Sequence, residues 1–158
     1  VSGAIDATEW VGPWNDEAMK FQEAAKYYYY PGMHEPGSML ACGTNKSWFT
    51  SLSKSDQLLI EAAAAMENDV MMSEYNAKNG AALARLINDH GVKLEKFSDK
   101  VYDGFAKAAN EVFEETRASS GLAERIHSSF LQARKDIGSW TNLSDSPYIS
   151  QRNRALGM

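Results

Sequence analysis

Two glutamates sit where chemistry is easiest to build. Glu9 lies in Ala7-Thr8-Glu9-Trp10-Val11-Gly12-Pro13-Trp14, and Glu35 lies 26 residues later in Pro31-Gly32-Met33-His34-Glu35-Pro36-Gly37. Each pairs a carboxylate with a glycine-proline bend, and the first adds two indoles. Carboxylates beside such bends, with loop carbonyls exposed next to them, suit a hard cation that takes oxygen ligands. With Asp6 and His34, the same set can combine a carboxylate and a cation to hold an anionic ligand. Solvated loop glutamates and a structural hydrogen bond from His34 are the plainer reading of the same residues. Trp10, Trp14, Trp48, Phe49 and the tyrosines can wall a small-molecule pocket or fill a core.

Catalytic signatures are absent. The chain has no G-x-G-x-x-G, no P-loop and no G-x-S-x-G. Cys42 is the single cysteine, which excludes an intrachain disulfide and a zinc-cysteine cluster. No histidine adjoins it to activate a thiolate, so a small buried residue is expected there. The net charge of -5, with basic residues scattered among acidic ones, argues against a nucleic-acid surface. No window offers the roughly 20 apolar residues of a membrane span. At 158 residues, 44% of them apolar and 23% charged, the composition is that of one soluble globular domain with a substantial core. Val1-Ser2-Gly3-Ala4-Ile5-Asp6 has neither an initiator methionine nor the basic and apolar regions of a signal peptide. The expectation is the C-terminal part of a longer protein.

The elements that must position these residues follow from patterning. Residues 1–14 read as strand and loop. Asn15 or Asp16 caps a helix running to about Lys26, with Ala18, Phe21, Ala24 and Ala25 on one face. Tyr27-Tyr28-Tyr29-Tyr30 predicts a strand, with Tyr27 and Tyr29 on one face and Tyr28 and Tyr30 on the other, stopped by Pro31-Gly32. Residues 38–45 are a second candidate strand. Ser53 or Ser55 then caps a proline-free helix from Asp56 to about His90, with a break at Asn79-Gly80. That helix carries two apolar stripes. One is Leu59, Ala62, Ala63, Met66, Val70, Ala77, Ala81 and Ala84; the other is Ile60, Ala64, Met71, Tyr75, Ala82 and Leu86. Two stripes mean cover on two sides, and about 35 residues reach about 50 Å, the length of a bridging strut. Gly91 ends the helix in a left-handed cap. Ser98 starts the next helix (Val101, Phe105, Ala108, Ala109, Val112, Phe113), Ser119-Ser120-Gly121 interrupts it, and Leu122, Ile126, Phe130, Ala133, Ile137 and Trp140 follow as another stripe. A short terminal helix starts around Pro147.

Beyond its chemistry, the first stretch has a pattern. Ser2-Gly3-Ala4-Ile5-Asp6-Ala7-Thr8-Glu9 resembles the sG-x-iDa-x-E segment of solute-binding proteins of tripartite ATP-independent periplasmic (TRAP) transporters. The likeness continues through Trp10 to Asp16, Lys26 to Gly32, His34 to Gly37, and Leu52 to Gln57 before the long helix. It is similar to the branch that binds 2-oxo acids and related small carboxylates. The resemblance implies a helix-rich α/β chain, the C-terminal part of a two-lobed periplasmic binding protein, with short N-terminal strands, a long bridging helix and further helices. Residues 1–52 would carry half of the ligand site, 53–92 the bridging helix and 93–158 the C-terminal helices. It further implies a sodium or calcium ion bridging the ligand carboxylate. Glu9, the Trp10 carbonyl and Glu35 would be its ligands, and Glu9 and Trp10 would also face the carboxylate. Membrane permease subunits would be partners, and exchanged C-terminal helices, from Val101 to Trp140, would form a homodimer. Members are about twice this long, and their ligand-clamping arginine lies upstream of Val1. Arg85, Arg117, Arg125 and Arg134 therefore take no such role by motif. Two other functions compete with carboxylate capture: a metal-dependent enzyme on small acids using Glu9, His34 and Glu35, and a helical oligomerisation module without ligand.

Overall fold

The structure, a computed structural model, describes residues 2–38 and 40–158. Val1, which opens the N-terminal stretch, and Met39, within the second candidate strand, lie outside the described residues. The fold is helix-rich α/β. Its contacts divide into two units, one up to Ser98 and one from Asp99 to Met158.

In the first unit, α1 spans Pro13–Ala18. Proline suits its first position because that N–H has no helical partner and the ring presets φ. The expected cap at Asn15 or Asp16 is not used. Gly12 is the N-cap, and Asp16 lies buried inside the helix. The helix also stops well short of Lys26. Lys20 adopts a left-handed conformation at φ 59°, and Phe21–Glu23 form a short 3-10 turn. The apolar spacing from Ala18 to Ala25 was thus helical in period, but the chain turns in its middle.

Strand β1 is Tyr27–Tyr30, as its run of aromatic side chains predicts, and it pairs in parallel with β2, Lys93–Lys96, with Tyr27 opposite Lys93 and Tyr30 opposite Lys96. Lys93 N–H donates to the Lys26 carbonyl and Phe97 N–H to that of Tyr30, both at 2.8 Å. The rings of Tyr27 and Tyr29 stack at 6.5 Å, and Tyr29 stacks on Phe97 at 5.0 Å, so the alternation of faces holds. The other extended segments do not become strands. Residues 2–12, 38 and 40–45 carry no strand, and Leu40 is almost fully exposed. Extended backbone without an edge to pair with leaves its N–H and C=O groups to water. Cys42 lies in that segment and is exposed rather than buried.

Helix α2 is Lys46–Ser51, capped by Asn45, whose side chain accepts from Trp48 N–H. Helix α3 follows as one piece, Lys54–Asn88, 35 residues and about 50 Å long. Ser53 accepts from Asp56 N–H at its start. No break occurs at Asn79-Gly80, because one glycine costs a helix only about 1 kcal/mol and Asn79 is held by a neighbouring element. After Asp89, Gly91 at φ 67° turns the chain, and Val92 N–H reaches the Leu86 carbonyl at 3.0 Å. The two stripes of α3 fare differently. The one ending in Ala82 and Leu86 becomes covered toward its C-terminal end, while Leu59, Met66 and Val70 of the other are exposed. Ala82, Leu86 and Val92 are the buried apolar residues among those described.

The second unit contains α4, Asp99–Ala118, α5, Gly121–Thr141, and α6, Asp145–Leu156. Ser120 caps α5, and the short connection folds α5 back on α4. Phe113 meets Phe130 at 6.2 Å and His127 at 6.1 Å, while Arg117 pairs with Glu114 and Glu124. Leu122, Ile126, Ile137 and Trp140 are exposed along α5.

Candidate functional site

The loop with Glu9 and Trp10 is built from α3 outward. Tyr75, Lys78, Asn79, Ala82, Arg85 and Leu86 recur at helical spacing and form one face of α3. The start of the loop's anchor, Trp14, rests on that face. Its ring meets Tyr75 edge-on at 5.2 Å, and Lys78 Nζ sits 4.0 Å above it, itself paired with Glu74 one turn back. Trp14 N–H donates to Asn79 Oδ1 at 3.1 Å. Nearly two turns further along α3, Arg85 Nε and Nη2 donate to both oxygens of Glu17 at 2.7 and 2.6 Å. That fork holds the Glu17 carboxyl below its ordinary range, chiefly through the hydrogen bonds from Arg85. Trp14, which could have been a pocket wall, is therefore a foot of the loop.

Inside α1, Asp16 is 7% exposed and accepts from the Tyr28 hydroxyl at 2.6 Å. Burial raises the Asp16 carboxyl, the Tyr28 bond opposes that, and the negative charge of Glu9 adds to the rise. Tyr28 is raised too, by burial first and then by its bond to Asp16.

Glu9, Trp10 and Glu35 are all exposed, Trp10 by 55%. Among the described residues, neither the Glu9 nor the Glu35 side chain is committed to an ion pair. Glu35 lies with His34, Pro36, Gly37, Ser38 and Leu40 around an open hollow. No group of three or more His, Cys, Asp and Glu side chains converges among the described residues. Glu9, His34 and Glu35 therefore do not by themselves close a cage around a metal. As donors they fit a hard cation: carboxylate oxygens and loop carbonyls, with two or more positions left for ligand or further protein. Of the arginines, Arg85 and Arg117 are taken by glutamates, and Arg134 lies 5.8 Å from the Phe130 ring.

Residues 1–119 match the family described as bacterial extracellular solute-binding protein, family 7. The chain belongs to that family. It is a family of solute-binding proteins rather than enzymes. The chain is 35% identical over 146 residues to a monocarboxylate 2-oxoacid-binding periplasmic protein from Nostoc sp., which covers 92% of this chain and 40% of that protein. It is also similar to a TRAP periplasmic solute-binding protein from Colwellia psychrerythraea solved with calcium and pyruvate, at 35% identity and a TM-score of 0.88. That match covers 94% of this chain and 45% of the other. A second such protein, from Pseudoalteromonas atlantica with sodium and pyruvate, gives 29% identity, a TM-score of 0.82, and coverage of 92% and 44%. The chain thus spans less than half the length of these relatives. The helix-rich α/β expectation agrees with the family 7 fold that these structures share.

Sequence reasoning passed over the seat on α3. From the sequence alone Asn79 marks a place for the helix to break and Asp16 a helix cap. The spacing of Tyr75, Lys78, Asn79, Ala82, Arg85 and Leu86 was the available signal: a face mixing polar and apolar residues is one that meets another element rather than water.

Proposed function

We propose that this chain supplies one wall of a cation-assisted site for a small 2-oxo acid in a periplasmic solute-binding protein, which hands its ligand to the permease subunits of a TRAP transporter. The observation that carries this is the exposed Glu9-Trp10 loop: a carboxylate that makes no ion pair among the described residues and a half-exposed indole, in a segment that runs into α1, where Trp14 and Glu17 are held on α3. The relatives that bind pyruvate with calcium or sodium support the same reading. Glu9, the Trp10 carbonyl and Glu35 would hold the cation, whose charge offsets that of the ligand carboxylate. Trp10 packs against the ligand and keeps water from it. Glu9 sets the negative charge that a cation must balance before an anion can approach.

In this reading residues 1–52 carry half of the ligand site, α3 within 53–92 bridges to a further lobe, and 93–158 supply C-terminal helices. The exposed Leu59, Met66 and Val70 stripe of α3 supports the bridge, since such a stripe calls for cover. The exposed Ile126, Ile137 and Trp140 on α5 support a homodimer through these helices.

Titration calorimetry on the complete protein that carries this chain tests the proposal. Pyruvate should give a saturable isotherm with calcium or sodium present, and its affinity should fall at least about tenfold when both are replaced by a large organic cation. Absence of heat with any 2-oxo or 2-hydroxy acid, in either buffer, contradicts it.

A further inference from the structure

The N-terminus of α1 is capped from another helix. Its N-cap, Gly12, has no side chain, and α1 makes no side-chain cap of its own. Pro13 brings no N–H, so the first donor without a helical partner is that of Trp14. Asn79, near the covered end of α3 and 65 residues away, takes that donor on Oδ1 at 3.1 Å. A Cβ on Gly12 would come within 3.3 Å of the same oxygen, so the glycine is what lets the bend approach the amide this closely. On either side of that contact, Tyr75 and Lys78 hold the Trp14 ring, and Arg85 grips Glu17. The bend is thereby fixed on α3 at Gly12-Pro13-Trp14, two residues after Trp10.

We propose that Asn79 is a positioning residue for the Glu9-Trp10 loop: by capping α1 in trans, it sets the angle at which the Glu9 carboxylate and the Trp10 carbonyl are presented to cation and ligand. Cation sites depend on groups that orient their ligands, and losing one bonded directly to a ligand typically weakens affinity about 10- to 100-fold; Asn79 acts one step further out, through the backbone of Trp14. This inference rests on the binding proposed above, and its test separates the two.

Asn79→Leu, Asn79→Asp and Gly12→Ala are made in the complete protein, and each is measured by calcium-dependent pyruvate calorimetry and by thermal melting. Leucine keeps the bulk of Asn79 and loses the oxygen, and should raise the pyruvate Kd about tenfold or more. Aspartate keeps an acceptor and should restore the Kd to within about threefold of the parent. Alanine at Gly12 would set a Cβ 3.3 Å from Asn79 Oδ1, forcing bend or amide to give by a few tenths of an ångström, and should also weaken binding, with α3 intact. Melting of the leucine and aspartate variants should differ much less than their Kd values do. A folded Asn79→Leu variant with the parent Kd overturns the inference and leaves the binding site standing. So does an Asn79→Asp variant as weak as Asn79→Leu. Should Asn79→Leu not fold, Gly12→Ala decides, and an unchanged Kd there overturns it. A parent protein that binds no pyruvate with either calcium or sodium overturns both readings; if only sodium supports binding, the variants are compared in sodium.

Discussion

Glu9→Gln is expected to weaken calcium-dependent pyruvate binding by the complete protein about 30-fold or more, while leaving its helical circular dichroism unchanged. The size follows from removing one charged partner of a desolvated charge cluster. Glutamine keeps the length and the hydrogen-bonding capacity of the side chain, so what is lost is the negative charge that recruits the cation. With a weaker hold on the cation, the ligand carboxylate would face the remaining acidic groups unscreened, and Asp16 would lose a neighbour whose charge raises its carboxyl. Stability should be nearly untouched, because the Glu9 side chain is exposed and makes no ion pair among the described residues. Calorimetry at several calcium concentrations separates the two effects: the pyruvate Kd of the variant should approach that of the parent only at calcium levels far above those the parent needs. An unchanged Kd at low calcium would show that the cation does not use this carboxylate.

The second large effect falls on stability. Leu86→Ala should destabilise the protein by about 2–5 kcal/mol, the range for a buried leucine that leaves a cavity its surroundings only partly fill. Leu86 is 2% exposed and sits one turn beyond Ala82, which is 0% exposed, on the same face of α3. These two, with Val92, are where the first unit excludes water. Arg85 is next to Leu86, so collapse there should also loosen the grip of α3 on Glu17 and α1. Met66→Ala, at a side chain 63% exposed in this chain, is the natural comparison. Urea unfolding curves for the two variants give the answer. A Leu86→Ala midpoint equal to that of the parent would mean that this face is not the core.

Much of the architecture could be seen in the residues themselves. Ser53 caps α3, Gly91 turns the chain after it, Ser119-Ser120-Gly121 separates α4 from α5, and the tyrosine run pairs as a strand because each of these is a local event decided by one or a few side chains. What could not be seen was set at a distance. β2 is a polar Lys-Leu-Glu-Lys run, a strand only because β1 offers it an edge. Residues 40–45 have better strand composition and form none, for want of an edge. α1 is short because Lys20 turns left-handed, a choice that no period reveals. The pairing of Trp14 with Asn79 spans 65 residues of sequence, so only the folded chain brings a capping oxygen to a helix that begins with glycine and proline. The Glu9 and Glu35 loops could be picked out by residue type. That the segment after Glu9 is held on α3 at Trp14 and Glu17 while Glu35 lines an open hollow is a matter of tertiary packing.

The most direct measurement is a crystal structure of the complete protein with pyruvate and calcium, with the ion located by its anomalous scattering. The account predicts calcium within about 2.3–2.6 Å of a Glu9 carboxylate oxygen and of the Trp10 carbonyl oxygen, with the pyruvate carboxylate on its far side. A calcium ion bound to pyruvate but ligated by neither Glu9 nor Trp10 would contradict it.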